Sequence, residues 1–173
     1  MNEVIHTLIS RRSCKQYAAK QVEEAALQEI LTAGMYAANG LARQAGKIIV
    51  VQNEADILAM QRMNGAVFGN PDAKTFYGAP TVCVVLAQAD APTAVEDGAL
   101  VIGNMMAAAS SLGVGSCWVH RAREVFASDE GKALLQKWGV TGEYIGVGNC
   151  LLGYAAAPPK PAAPRKADFV TRV

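Results

Sequence analysis

Between Thr93 and Leu112 the chain reads TAVEDGALVIGNMMAAASSL, apolar nearly all round and full of Ala, Gly and Met. A helix with one apolar stripe can lie on a surface, whereas a helix that is apolar on every side must be covered on every side. Covering some five turns completely is a heavy demand on a chain of 173 residues, so the pattern predicts a partner subunit over part of this helix. Its most apolar stretch, Gly98 to Ala109, is interrupted by Asn104. It is too short to span a bilayer, so no membrane association is expected.

The segments around it alternate between helical and extended periods. Residues 2–10 have a helix-compatible pattern. From Val22 to Tyr36 apolar residues recur three and four apart, as in an amphipathic helix. Lys47–Gln52 (KIIVVQ) reads as a short buried strand and Glu54–Met63 as a helix. Asn64–Pro80, NGAVFGNPDAKTFYGAP, reads as a long functional loop with room for a helical turn. Thr81–Gln88, Gly115–Val119 and Tyr144–Leu152 are three further strands, with a helix at about Asp129–Trp138. This mixture predicts a three-layered α+β or α/β architecture. The length fits a single domain over 1–173. The end, 155–173, holds four of the seven prolines and reads as an extended arm that closes with a strand at FVTRV. Such an arm is either a linker to a further domain or a segment laid over a partner.

Composition and charge narrow the function. With 51% hydrophobic and 18% charged residues the chain is globular. A net charge of +1 gives no global field for a polyanion, which argues against nucleic-acid binding. Positive charge gathers at the two ends: Arg11, Arg12, Lys15 and Lys20 against Glu3, and Lys160, Arg165, Lys166 and Arg172 against Asp168. The ends either converge on one small anion or serve solubility. None of the four cysteines has a zinc-site spacing, and two histidines are too few for a histidine cage, so no metal is expected. Reduced thiols point to a cytoplasmic setting, and the N-terminus lacks the apolar stretch of a signal peptide.

No motif for a hydrolytic triad, zinc protease or phosphate loop is present. Two Gly-Val-Gly triplets, at Gly113 and Gly146, lack the third glycine of a dinucleotide fingerprint. The first opens a strand and the second lies within one, so both are rejected. The strongest local feature is Arg11-Arg12-Ser13-Cys14-Lys15. Planar guanidinium groups and a hydroxyl suit a monophosphate, but a solvated basic turn has the same composition. Cys14 stands among these cations, with no second thiol in sequence to resolve it.

Four segments in order resemble the nitroreductase family of FMN proteins over nearly the whole chain. They are RRSCKQY at the start, GMYAANGLARQAGKIIVV, VEDGALVIGNMMAAASSLGVGSCWV, and NCLLGYAAAPPKPAAPRK at the end. The resemblance implies a three-layer α/β/α fold with a central mixed sheet, a long helix buried at a homodimer interface and an extended C-terminal arm. It also implies FMN as cofactor. Arg11 and Ser13, helped by Arg12, would hold its phosphate, and Arg165, with Lys166, would reach it from the arm. Lys15 would lie near the pyrimidine edge of the ring. Trp118, Val119, His120 and Arg121 would line the ring, with a backbone N–H near His120 bonding its reactive nitrogen. Asn39 and Gln44 would come from the other subunit, and Asn64 would bond a ring carbonyl. Where the family usually has Pro-Ser, and Pro-Trp after the glutamine, this chain has Ala38-Asn39 and Ala45-Gly46, which implies a more open site floor.

The implied activity is electron transfer from NADH or NADPH to small electron-poor acceptors such as nitroaromatics or quinones, by a ping-pong mechanism. No catalytic side chain is demanded, because the cofactor carries the chemistry. The alternatives are another flavin enzyme on the same scaffold (an oxidase, dehalogenase or ene-type reductase) and a non-catalytic flavin-binding module.

Overall fold

The computed structural model describes residues 1–173. At its centre lies β2 (Thr81–Gln88), in which Val82 through Ala87 are all fully buried. Val82, Val84 and Leu86 enter one apolar cluster, and Cys83, Val85 and Ala87 enter a second. This is the two-residue alternation of an extended chain. A strand covered on both faces needs apolar residues at every position, which is why TVCVVLA shows no polar alternation.

The sheet order is β1-β2-β4-β3, with β1 spanning Gly46–Val51, β3 Gly115–Val119 and β4 Tyr144–Gly153. All three strand pairs are antiparallel, so the expected mixed sheet is corrected. The one parallel pairing is an isolated bridge between Ser13 and Ser116. The N-terminal segment meets the free edge of β3 there and then turns to pair Tyr17 with Ala155. Helices α2 (Glu24–Met35) and α4 (Ala94–Ser111) pack on one face of the sheet through Ile30, Ile102 and Met105. Helices α3 (Glu54–Val67), α5 (Ala122–Ala127) and α6 (Asp129–Lys137) pack on the other through Met60, Phe126 and Leu134. The result is the three-layer α/β/α arrangement.

Several boundaries differ from expectation. As an outer strand β1 has a neighbour on one side only, and among its residues Val51 alone is buried. Helix α3 continues to Val67, four residues into the stretch read as loop. Helix α5 has only six residues, too few to show a helical period, and was not anticipated. Residues 169–173 form no strand: every residue from Ala155 onward is exposed.

The rejected Gly146-Val147-Gly148 triplet proves to be a packing device. The register between β2 and β4 shifts where Val85 pairs Gly148 and Leu86 pairs Gly146, leaving Val147 as the extra residue of a bulge. Val147 thereby turns toward α4, where a Cβ on Gly98 would come within 2.5 Å of it. A Cβ on Gly146 would meet the Ala122 carbonyl oxygen at 2.2 Å, and one on Gly148 would meet the Trp118 indole nitrogen at 2.5 Å. These glycines let α4, α5 and Trp118 close onto the sheet.

Within one chain α4 is covered on one side only. Ala94, Gly98, Ile102, Met105 and Ala109 are buried, while Val95 and Leu100 remain 45% and 48% exposed. Helix α1 (Glu3–Ser10) buries no residue and leaves Val4, Ile5, Leu8 and Ile9 open to solvent. A groove of about 850 Å³ runs between α1 and α4. No helix is long and apolar enough to cross a membrane.

Candidate functional site

The basic segment is positioned by the edge of the sheet. After α1 ends, the Cys14 N–H donates to the Ser116 carbonyl at 2.8 Å, and the Ala18 N–H donates to that of Tyr154 at 2.8 Å. Arg11, Ser13 and Lys15 are thus strung along β3 near its start. The three cations have different surroundings. Arg12 Nη1 donates to the carbonyls of Ile9 at 2.8 Å and Arg11 at 2.7 Å, so its charge is spent on the end of α1. Arg11 is half-buried, and its Nη1 is sealed from solvent with no partner. A buried charged donor without an acceptor is costly. Lys15 is exposed, with Nζ 5.7 Å from the centre of the Tyr77 ring.

Beside this segment lies a pocket of about 250 Å³. Five expected residues line it: Lys15, Trp118, Val119, His120 and Arg121. Four that sequence reasoning missed also line it: Phe68, Thr75, Tyr77 and Cys117. The signal for three of them was present, because the Gly-rich stretch 64–80 was read as functional and holds Phe68, Thr75 and Tyr77. Gly69 and Gly78, at φ +90° and +76°, let that stretch turn back over the pocket. Cys117 carried no such signal, since its sequence pattern is that of a plain strand residue. Burial pushes its thiol pKa up, opposed by the Ser13 hydroxyl and by the charges of Lys15 and Arg11. No aspartate or glutamate lines the pocket.

The turn after β3 is held from two directions. Asn64 Nδ2 donates to the His120 carbonyl at 2.7 Å, and Asn149 Nδ2 to that of Val119 at 3.4 Å. Between these anchors and α5, Arg121 takes a left-handed backbone at φ 76°, and its guanidinium carbon lies 4.6 Å from the centre of the Phe68 ring. Asn64 itself is 0% exposed. Its amide nitrogen is engaged with the backbone of the turn, so in this structure it shapes the pocket from behind rather than lining it.

The remaining expected residues lie elsewhere. Asn39 and Gln44 belong to a tight loop in which the Asn39 Oδ1 accepts from the Gln44 N–H at 3.0 Å. Asp97, at the start of α4 and 4% exposed, accepts from the Gly40 N–H at 2.9 Å. Leu41, Ala42 and Gln44 all have positive φ, near 50°. The loop is therefore held in a strained shape, away from the pocket of its own chain. Arg165 and Lys166 lie on the exposed arm, where the Arg165 guanidinium donates only to the Ala163 carbonyl, at 3.3 Å.

A model of the Nitroreductase family matches residues 8–75 and 66–154 of the chain. Among solved structures, a nitroreductase of Bacteroides fragilis with bound FMN is 30% identical, covers all of both chains and superposes with a TM-score of 0.90. A nitroreductase of Desulfitobacterium hafniense with bound FMN is 27% identical over 100% of this chain and 99% of its own, at a TM-score of 0.86. An FMN-dependent nitroreductase of Clostridium difficile shares the fold at a TM-score of 0.88, with 23% identity over 99% of each chain. No curated protein matches the sequence.

Proposed function

The chain belongs to the nitroreductase family, and on that premise we propose that it is an FMN-dependent oxidoreductase that moves electrons from NAD(P)H to small electron-poor acceptors, with residues 1–173 acting as one domain of a homodimer. The observation that carries this reading is a pocket free of carboxylates and lined by Lys15 and Arg121, with the half-buried Arg11, its Nη1 unpartnered, on the segment that supplies Lys15. That pair of features fits a phosphate joined to a planar ring system.

Arg11 and Ser13 would hold the phosphate. Arg12 contributes only if it leaves the α1 carbonyls. Lys15 would stand at the ring edge, and Trp118, Val119, His120 and Arg121 would form the pocket wall. Asn39, Gln44, Arg165 and Lys166 lie outside the pocket of their own chain, so their role requires Asn39, Gln44, Arg165 and Lys166 of the partner subunit. The open faces of α1 and α4 supply a surface for that subunit. An obligate dimer of this kind buries upward of about 2,000 Å² in total.

When bound, FMN supplies the hydride chemistry that no side chain of the pocket offers. The overall reaction with a nitro compound balances as follows: NAD(P)H gives up a hydride and the solvent a proton, and the acceptor leaves as a nitroso compound and water. Donor and acceptor would use one open face in turn, which gives ping-pong kinetics. The chain's own residues bind, orient and keep positive charge near the ring.

The test joins three readings of one preparation. The purified protein should be yellow and release FMN on denaturation, sediment as a dimer at micromolar concentration, and oxidise NADH or NADPH when a quinone or nitroarene is added. A colourless monomer would contradict the reading. A yellow dimer inert to every donor and acceptor pair would favour the non-catalytic flavin module.

A further inference from the structure

We propose that the acceptors preferred at this site are planar aromatics carrying an anionic group, and that Arg121 binds that group. The inference rests on the function proposed above and adds the substrate class.

Arg121 is held at a cost. A non-glycine residue at φ 76° is disfavoured. The chain keeps it there with the two asparagine anchors on His120 and Val119 and with the close approach of Ala122 to Gly146. The side chain lies across Phe68, a residue that is 59% exposed. The guanidinium makes no hydrogen bond and no ion pair with any other group of the chain. Its donors are unspent at the wall of a pocket without a carboxylate.

The phosphate assigned to Arg11 and Ser13 lies toward the opposite end of β3 from Arg121. Ser13 bridges Ser116 at the start of β3, whereas Arg121 follows its end at Val119. Three extended residues put Ser116 and Val119 about 10 Å apart, and Arg121 lies two residues beyond Val119. Arg121 therefore awaits a second anion. Its planar fork matches a carboxylate with two parallel hydrogen bonds. The exposed Phe68 ring beside it offers a flat apolar surface to the rest of an aromatic ligand. A carboxylated nitroarene meets both, while its neutral amide meets only the second.

The experiment compares 4-nitrobenzoate with 4-nitrobenzamide, which differ in charge at nearly constant shape. Binding is measured by calorimetry on the oxidised, FMN-loaded protein without NAD(P)H, so nothing turns over; kcat/KM is then measured for both. The wild type should bind the benzoate at least about tenfold more tightly, the scale of one charge-assisted hydrogen bond. In Arg121→Gln that ratio should fall to about one, Arg121→Lys should keep part of it, and Arg123→Gln, at an exposed position, should keep all of it. The kcat/KM ratios should follow. Equal binding of the two ligands by the wild type, or a ratio that survives Arg121→Gln, overturns the proposal. So does a KM effect confined to NADPH, which would assign Arg121 to the donor. Charge-selective binding with no reduction of either compound would leave the anion site standing and overturn the oxidoreductase reading. A protein that takes up no FMN overturns both.

Discussion

Arg11 and Lys15 lie four residues apart in one motif, yet their surroundings differ, and under the proposed function so would their work. Arg11 is half-buried with a sealed, unpartnered nitrogen; Lys15 is exposed and stands over Tyr77 in the pocket wall. A phosphate carries its charge in both redox states of the cofactor, so loss of Arg11 should weaken binding and leave the potential nearly unchanged. Charge at the ring edge grows on reduction, so loss of Lys15 should lower the potential and slow reduction by NAD(P)H. Charged hydrogen bonds are worth about 1.5–3 kcal/mol, which sets the upper range of the Lys15→Ala effect. Spectroelectrochemical titration of both alanine variants, saturated with FMN, checks this. A shift in Arg11→Ala alone, or in neither, would refute the division. The motif itself was legible as a string of cations and a hydroxyl. What each cation meets was not, because that depends on tertiary partners. Arg12 turns to Ile9 O, and Asn64 reaches His120 O across 56 residues.

The central elements could be read because their patterns are dictated by burial on one or both faces. Strand β2 and helix α4 lie within a residue of where periodicity puts them. The bulge at Val147 and the short α5 escaped, since one extra residue in a strand and six residues of helix leave no period to detect. The union of α3 with α6 was equally silent in sequence. Lys137 Nζ and the Trp138 indole donate to Asp56 at 2.5 and 2.9 Å. First the Lys137 bond and then that of Trp138 hold the Asp56 carboxyl below its ordinary value of 3.8. A carboxyl with a depressed folded-state pKa adds stability above its unfolded pKa, and that stability is lost as pH falls through the folded value. Asp56→Asn should therefore lower Tm at pH 7, and the gap to wild type should shrink as pH drops below about 4. A gap constant from pH 7 to pH 3 would mean that the ion pair contributes nothing.

As a single chain the molecule leaves several surfaces and residues without partners, which is what the proposed homodimer would supply. The apolar faces of α1 and α4 are open, the arm beyond Ala156 is exposed, and Asn39, Gln44, Arg165 and Lys166 stand apart from the pocket. The expectation of a partner was legible in the all-round apolar pattern of α4. Which residues would cross between subunits was not, because no periodicity within one chain encodes a contact with another. These features share one explanation if each subunit completes a phosphate-anchored flavin site. The most direct measurement is a fluorescence titration of the flavin-free, full-length protein with FMN and with riboflavin, which differ by the phosphate alone. FMN should bind at least about a hundredfold more tightly, the scale of two charge-assisted hydrogen bonds, and Arg11→Ala should remove most of that difference. Equal affinity for the two flavins, or a preference for FMN that Arg11→Ala leaves intact, would contradict the account.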